Sequence, residues 1–268
     1  MKIAVCMKQV PAYSEGNMDE KTGLIVRSGL EAVVNRCDLS ALETALQIKE
    51  ELGGVIDVFT MGPERAEAVI KEAYAMGADQ GYCISHKAFG GADVLATSYT
   101  LMQAISSVGE YDLILCGRQT TDGDTSQVSG ALAKWMNMPH FTSVTGLKKV
   151  TEQEITFEQS FENEIWVQTM TYPCLLAVDG CIFKPRLPSL QLKMASRKKK
   201  VVRIGLEQLE DKHPQHYGLK GSATRVCRIF PPQKTSQRDI AFVNGENAAD
   251  YIMKVMEKIV SLGEEKDE

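Results

Sequence analysis

Over its first half the chain alternates short apolar runs with amphipathic stretches of ten to fifteen residues. Few folds accept that alternation. Each apolar run reads as a strand buried on both faces, and each amphipathic stretch as a helix laid across it. Successive strands then become parallel neighbours joined by right-handed crossovers. The runs are Lys2 to Met7, Val55 to Met61, Gln80 to Ser85 and Leu113 to Leu115. The first helix follows Asn35 to Asp38, with Ser40 and Glu43 spaced as a capping box and Leu39, Leu42, Leu46 and Ile48 as its apolar side. A second runs from Glu64 to Met76. A third follows Gly90-Gly91-Ala92-Asp93, with Val94, Leu95, Tyr99, Met102 and Ile105 turned inward. The expected class is α/β, with a doubly wound, mostly parallel sheet of the Rossmann-like, adenine-nucleotide-binding type.

The pattern changes after Met138-Pro139. Residues 142 to 170 alternate in the manner of strands, which predicts an antiparallel extension, and Pro173 precedes one more strand, Cys174 to Val178. From Phe183 the periodicity fades. The stretch KPRLPSLQLKMASRKKK carries two prolines, exposed-looking leucines and a basic cluster, and only Ala248 to Ile259 regains a helical stripe (Tyr251, Ile252, Val255, Met256, Ile259). So long a weakly patterned stretch does not suit a loop of a compact monomer. The expectation is three parts: a domain over 1–182, a docking loop over 183–200, and a C-terminal, partner-embracing arm over 201–268. Residues 12 to 34 hold turn formers and suit an excursion, with a small hairpin near Leu24 to Arg27.

In parallel sheets ligands bind at the carboxyl ends of strands, and one such end is distinctive. After Leu113-Ile114-Leu115 and Gly117 comes a polar loop, Arg118 to Asp124, and then a helix marked by Val128, Leu132 and Trp135. Asp124 and Gln127 have the spacing of a cap and its third residue. Thr125, Ser126 and Gln127 would then form a first turn whose N–H groups lack helical partners and favour an anion. Gly123 lets a ligand approach closely. Asp124 is cast as the cap and Asp122 as a ribose or loop-structuring group, since carboxylates repel phosphate. The loop reads as a phosphate cradle; the same pattern also suits a capped helix with nothing bound.

Other chemistry is sparse. A formal net charge of −5 argues against nucleic acid as main partner. The amino terminus lacks the apolar stretch of a signal peptide, and no run reaches membrane-spanning length. Seven cysteines without a C-x-x-C pair fit reduced thiols in a cytoplasm, with Cys6 and Cys116 as small buried hydrophobes. His86 and His140 stand alone, and Pro214 separates His213 from His216. There is no zinc pattern and no G-x-S-x-G elbow. Chemistry here must belong to a bound cofactor.

The segments GRQTTDGDTSQVSGALA, IAVCMKQV, VNRCDLSALETALQIKE, VFTMGP, KEAYAMGAD and PRLPSLQLKMASRKKK resemble those of the beta (small) subunit of electron transfer flavoprotein. The resemblance runs from Met1 to about Lys200. It implies a heterodimer with an alpha subunit that carries FAD. The beta subunit of such proteins binds structural AMP or a second FAD. Members with the second FAD take electrons from NADH and bifurcate them, one to ferredoxin or flavodoxin and one to the alpha FAD. A flavin-dependent dehydrogenase of the acyl-CoA or lactate type is then served.

Carried over by residue, the resemblance implies a cofactor site of Cys6, Asn35, Arg36, Cys37, Asp38 and Met61, together with Asp122, Gly123, Asp124, Thr125, Ser126, Gln127, Val128, Ser129, Gly130, Ala131 and Ala133. Asp122-Gly123-Asp124-Thr125 is similar to the D-G-D-T of bifurcating members and favours FAD over AMP. Ser129-Gly130 stands where those members carry glycine and proline. Gly90, Gly91, Ala92 and Asp93 resemble a segment near the NADH site, and a plain helix start explains them as well. Leu190 aligns with the leucine that anchors the docking loop. No catalytic side chain and no metal are expected. The alternatives are an AMP-holding scaffold subunit and, from another class, a nucleotide-sensing module of the universal-stress type.

Overall fold

The computed structural model describes residues 1–12, 32–225, 245 and 247–264, with 258–264 as backbone. The hairpin expected near Leu24 to Arg27 lies outside the described residues. The chain divides into two compact units, Met1–Ile229 and Phe230–Glu268.

The first unit begins with β1 (Lys2–Cys6) and two short strands, β2 (Gln9–Pro11) and β3 (Ala32–Val34), which pair with each other antiparallel. Then come α1 (Arg36–Leu52), β4 (Val55–Met61), α2 (Glu67–Met76), β5 (Gln80–Ile84), α3 (Val94–Val108), β6 (Leu113–Gly117) and α4 (Val128–Trp135). A meander follows, β7 (His140–Val150), β8 (Glu154–Phe161) and β9 (Glu164–Thr171), and β10 (Cys174–Val178) returns to the sheet. The unit closes with α5 (Leu190–Ser196), β11 (Val202–Ile204) and the single turn α6 (Gly218–Gly221). The second unit holds α7 (Ala248–Glu264), on which Tyr251, Ile252, Val255 and Met256 are exposed.

One nine-stranded sheet organises the first unit, in the order β11-β5-β4-β1-β6-β10-β7-β8-β9. It is parallel from β11 to β7, and β8 and β9 extend it antiparallel. This is the expected α/β class. The chain winds from β1 through β4 to β5 and then crosses back to lay β6 on the other side of β1. The switch of direction opens a crevice at the carboxyl ends of β1 and β6.

Alternate residues of each strand feed two cores. Ile3, Val5, Ile56, Val58, Leu113 and Leu115 pack under α1 and α2. Ala4, Phe59, Ile114 and Cys116 pack under α3 and α4. A strand covered on both faces is predominantly apolar, which is why β1, β4 and β6 stand out in the sequence; the buried Asp57 of β4 is an exception, and accepts the Tyr111 hydroxyl at 2.6 Å.

Several local expectations change. Helix α1 starts at Arg36, so Ser40 and Glu43 lie inside it and form no capping box. Ser40 is buried and donates to the Gly180 carbonyl at 3.1 Å. In α3 the buried face is Ala96, Ser98, Thr100, Leu101, Ala104 and Ile105, while Leu95 is exposed. Small residues let α3 sit close to the sheet, so the larger side chains are displaced to its flanks. Residues 202–225 belong to the first unit, although their weak periodicity suggests an arm. Strand β11 pairs parallel with β5, and Tyr217, Leu206 and Leu209 are buried in the α3 core.

Candidate functional site

The crevice is assembled by one carboxylate. Asp38, in the first turn of α1, is buried; its Oδ2 accepts the Lys8 N–H at 2.8 Å and its Oδ1 accepts the Gly117 N–H at 3.2 Å. The ends of β1 and β6 and the start of α1 are thereby tied at one point. Gly117 is required there, because a Cβ would lie 2.8 Å from the Cys37 carbonyl carbon and closer still to Asp38 Oδ1. Burial raises the Asp38 carboxyl to about 7, against the opposing effect of the backbone donors.

Asn35 precedes α1 and is fully buried. Its Nδ2 donates to the Gln119 carbonyl at 2.9 Å, which holds the loop after β6 against the start of α1. Its Oδ1 is buried with no hydrogen-bond partner. Buried acceptors are seldom left unpaired, which makes this oxygen a candidate to accept from a bound ligand.

The loop from Arg118 to Gln127 takes a different form from the one its sequence suggests. Asp124 and Ser126 have φ of 48° and 54°, in the left-handed region that no helix permits. Helix α4 therefore starts at Val128, and Asp124 caps nothing. The unpartnered helical N–H groups belong to Val128, Ser129 and Gly130. Asp122 is bound at both oxygens by Lys8 Nζ, at 2.7 Å each. Burial opposes ionisation of Asp122, but the Lys8 ammonium outweighs it and holds the carboxyl below its ordinary value. Gly123 is open: a Cβ there would meet nothing nearer than Thr120 Oγ1 at 3.6 Å.

The structure brings Asn35, Cys37 and Asp38 together with Lys8, Gly117, Gln119 and Asp122. Cys6 pairs with Cys116 across β1 and β6, and a hydrogen bond to Cys6 with burial pushes the Cys116 thiol well above its ordinary value. Arg36 and residues 122 to 127 are exposed around the crevice mouth. Ser129 and Ala133 are buried on α4, and Gly130 and Ala131 are half-buried. Met61 ends β4, half-buried against the α3 core. Gly90 to Asp93 stand apart. The Asp93 side chain caps α3 through the Ala96 N–H and accepts the N–H and hydroxyl of Thr224, and the Gly90 carbonyl accepts the Leu219 N–H. That segment is the seat of residues 219–224.

Sequence reasoning reaches Lys8 only as the end of the first strand, a candidate ligand position without an assigned partner, and misses Gln119. Gln119 acts through its backbone carbonyl and carries no signal.

The donor set fits an adenine nucleotide: a free buried acceptor, a helix amino terminus and a glycine-marked loop. AMP and FAD share that chemistry. Among the described residues no group of His, Cys, Asp and Glu could hold a metal, and no helix is long and apolar enough to cross a membrane.

The fold places the chain in the doubly wound α/β class. Comparison with known families narrows this. Residues 22–209 match the electron transfer flavoprotein domain. The chain is 34% identical to the electron transfer flavoprotein subunit beta of Megasphaera elsdenii, over 97% of this chain and 98% of that one. It is 38% identical to the CarD subunit of the caffeyl-CoA reductase–Etf complex of Acetobacterium woodii, over 96% and 99%. It is 36% identical to the acryloyl-CoA reductase electron transfer subunit gamma of Anaerotignum propionicum, over 97% and 100%. The chain belongs to the electron transfer flavoprotein family and aligns end to end with its beta subunits. That membership takes the place of the nucleotide-sensing alternative.

Proposed function

We propose that this chain is the beta subunit of a heterodimeric, cytoplasmic electron transfer flavoprotein of the bifurcating type, with FAD in the crevice between β1 and β6. The observation that carries the reading is the loop Asp122-Gly123-Asp124-Thr125. Lys8 draws Asp122 aside, and open space at Gly123 leaves room for a ligand to continue beyond its first phosphate. The bound flavin would accept an electron pair from NADH and pass one electron to ferredoxin or flavodoxin and the other to the alpha-subunit FAD.

The chain's own residues bind and orient. Asn35 Oδ1 would accept from the adenosine end of the cofactor. The N–H groups of Val128, Ser129 and Gly130, with the hydroxyls of Thr125 and Ser126, would meet its phosphates. Asp38 acts through the main chain, as a positioning residue that keeps Gly117 and Lys8 at the crevice floor. The exposed Leu187, Leu190 and Met194 would meet the served dehydrogenase, of the acyl-CoA or lactate type, and Leu190 is 75% exposed at the start of α5. The names of the Acetobacterium and Anaerotignum relatives place them in reductase complexes, which supports such a partner here. Gly90 to Asp93 would bear on NADH only indirectly, since they stand apart from the crevice and their polar groups are engaged by the start of α3 and by residues 219–224.

The test is the cofactor content of the purified heterodimer, with FAD released by heat and AMP assayed in the same extract. Two FAD and no AMP support the proposal. One FAD with one AMP overturns it in favour of the second reading, a scaffold subunit that holds AMP and presents the docking segment.

A further inference from the structure

Beside α3, apart from the crevice, the first unit carries a cleft of about 520 Å³. That size lies within the usual range of small-molecule sites, about 300–1,000 Å³. Leu95 and Tyr99 of α3 and Trp135 at the end of α4 form its apolar side, and Gln215, His216 and Lys220 form its polar side. The Tyr99 and Trp135 rings meet at 65°, with centroids 5.2 Å apart. Together they offer a flat guest one ring face and one ring edge. Trp135 is 44% exposed and Leu95 41%, so this corner is open to a guest.

The polar side is held in place from two directions. Gly218 has a φ of 56° and lies too close to the Ala88 and Gly90 carbonyls for any Cβ, and the Leu219 N–H donates to the Gly90 carbonyl at 3.0 Å. The turn α6 and its Lys220 are thereby seated. Asp211 fixes the other side. Its Oδ2 accepts the Tyr99 hydroxyl at 2.7 Å and the His216 Nδ1–H at 2.5 Å, and its Oδ1 accepts the His213 N–H at 2.9 Å. Burial opposes ionisation of Asp211, but the His213 N–H, His216 and the Tyr99 hydroxyl outweigh it and hold the carboxyl at about 2. An ionised carboxylate only accepts, so His216 carries its proton on Nδ1 and Nε2 is the free nitrogen. His216 Nε2, the Gln215 amide and the Lys220 ammonium have no hydrogen-bond or ion-pair partner among the described residues. Glu210 is exposed and does not line the cleft.

From this geometry we infer that the cleft is a binding site for a small planar aromatic carboxylate, its ring lodged in the Tyr99–Trp135 corner and its carboxylate held by Lys220 and Gln215 beside His216. Charge selects the anion: the one carboxylate in contact with the polar side, Asp211, is spent on His216 and Tyr99, and the Lys220 ammonium is left over. Donor count selects a carboxylate over a phosphate. The Gly221 N–H is taken by the Tyr217 carbonyl and the Leu219 N–H by Gly90, so these backbone amides do not form the nest that a phosphate favours. The cleft shares no lining residue with the nucleotide crevice, and its ligand is independent of which nucleotide the crevice holds.

The experiment titrates 2-naphthoate into the full chain produced with its alpha subunit, read by isothermal calorimetry, with one site per beta chain expected. Lys220→Met should weaken binding about tenfold, the loss of one charge-assisted contact, and Trp135→Ala by a similar factor. Gln215→Leu, at an exposed position, should weaken it several-fold and reads the polar side without disturbing the rings. 2-Naphthamide keeps the ring without the charge, and cyclohexanecarboxylate keeps the charge without the flat ring; each should bind at least tenfold more weakly. Melting temperature and nucleotide content should match wild type in Lys220→Met and Gln215→Leu. The absence of saturable heat with 2-naphthoate overturns the inference. Binding that none of the three variants weakens overturns it too, by placing the ligand elsewhere. Binding abolished by added AMP, FAD or NADH also overturns it, by making 2-naphthoate an occupant of a nucleotide site.

Discussion

Asp38 and Gly117 are fitted to each other across the crevice floor: the carboxyl accepts the glycine N–H at 3.2 Å, and the glycine has no room for a Cβ beneath it. Gly117→Ala would push against the Asp38 carboxyl and the Cys37 backbone, neither of which can rotate away. The expected cost is about 1–3 kcal/mol, the range of overpacking in a rigid core. Loss of bound nucleotide should accompany a lower melting temperature, with both read on the same preparation.

Asp38 also sets a pH dependence. Its folded-state value of about 7 lies above the unfolded value of about 4. The folded chain therefore holds this proton more tightly, and the stability that comes with it is fully present below about pH 4 and lost as pH rises through about 7. Asp38→Asn abolishes the titration. Urea melts at several pH values should show wild type losing stability relative to the variant between those limits and levelling off above.

Arg186 and Glu43 form a bidentate ion pair across a long stretch of chain. Arg186 Nε lies 2.9 Å from Glu43 Oε2, Nη2 lies 2.8 Å from Oε1, and Nη1 reaches Glu50 at 2.5 Å. Burial would raise the Glu43 carboxyl, but the Arg186 bonds more than offset it and the carboxyl titrates below its usual value. Arg186→Ala would strand a buried carboxylate at a cost of about 3 kcal/mol. The wild-type pair is lost as pH falls through the depressed value, so the stability gap between the two proteins should narrow toward about pH 4.

Lys8 and Asp122 meet near the surface, with side chains 45% and 30% exposed. Lys8→Met should therefore cost less than about 1 kcal/mol in stability. Its effect should fall on the loop: faster release of bound nucleotide, followed by flavin fluorescence after dilution, with the melting temperature nearly unchanged.

Leu190 is exposed and supports no core. Leu190→Ala should leave melting temperature and cofactor content alone and slow electron transfer to the partner dehydrogenase, with the loss in apparent KM for the partner protein.

What could be read from the sequence follows from how local each cause is. Val55 to Met61 and the turn at Gly62-Pro63 were legible because a strand covered on both faces is predominantly apolar and a Gly-Pro pair ends it. Asp124 misled because DGDTSQ satisfies a capping box and a left-handed turn equally well, and the choice is made by the loop's attachment to Asn35 and Lys8. Ser40 and Glu43 imitated a cap for a similar reason. Glu43's true partner, Arg186, lies far along the chain, and no spacing rule connects them. Residues 202–225 were illegible because β11 is three residues long, and Tyr217 is buried through distant partners, its ring against Phe89 and Tyr99 of α3. The crevice was found from its strand end and glycine, while its organising contact, Asp38 to two backbone N–H groups, depends on the crossover that brings β6 beside β1.

The return of the chain to β5 as β11 has a consequence for how such proteins diversify. The stretch from Arg186 to Lys200 is pinned at one end by Glu43 and at the other by Lys199, whose ammonium meets the Ala78 and Asp79 carbonyls, just before β11 joins the sheet. A segment clamped at both borders behaves as a cassette. Its exposed positions, Leu187, Leu190 and Met194, can change freely, while the clamps at its borders and the Lys71 bond to the buried Ser196 carbonyl keep its backbone where it is.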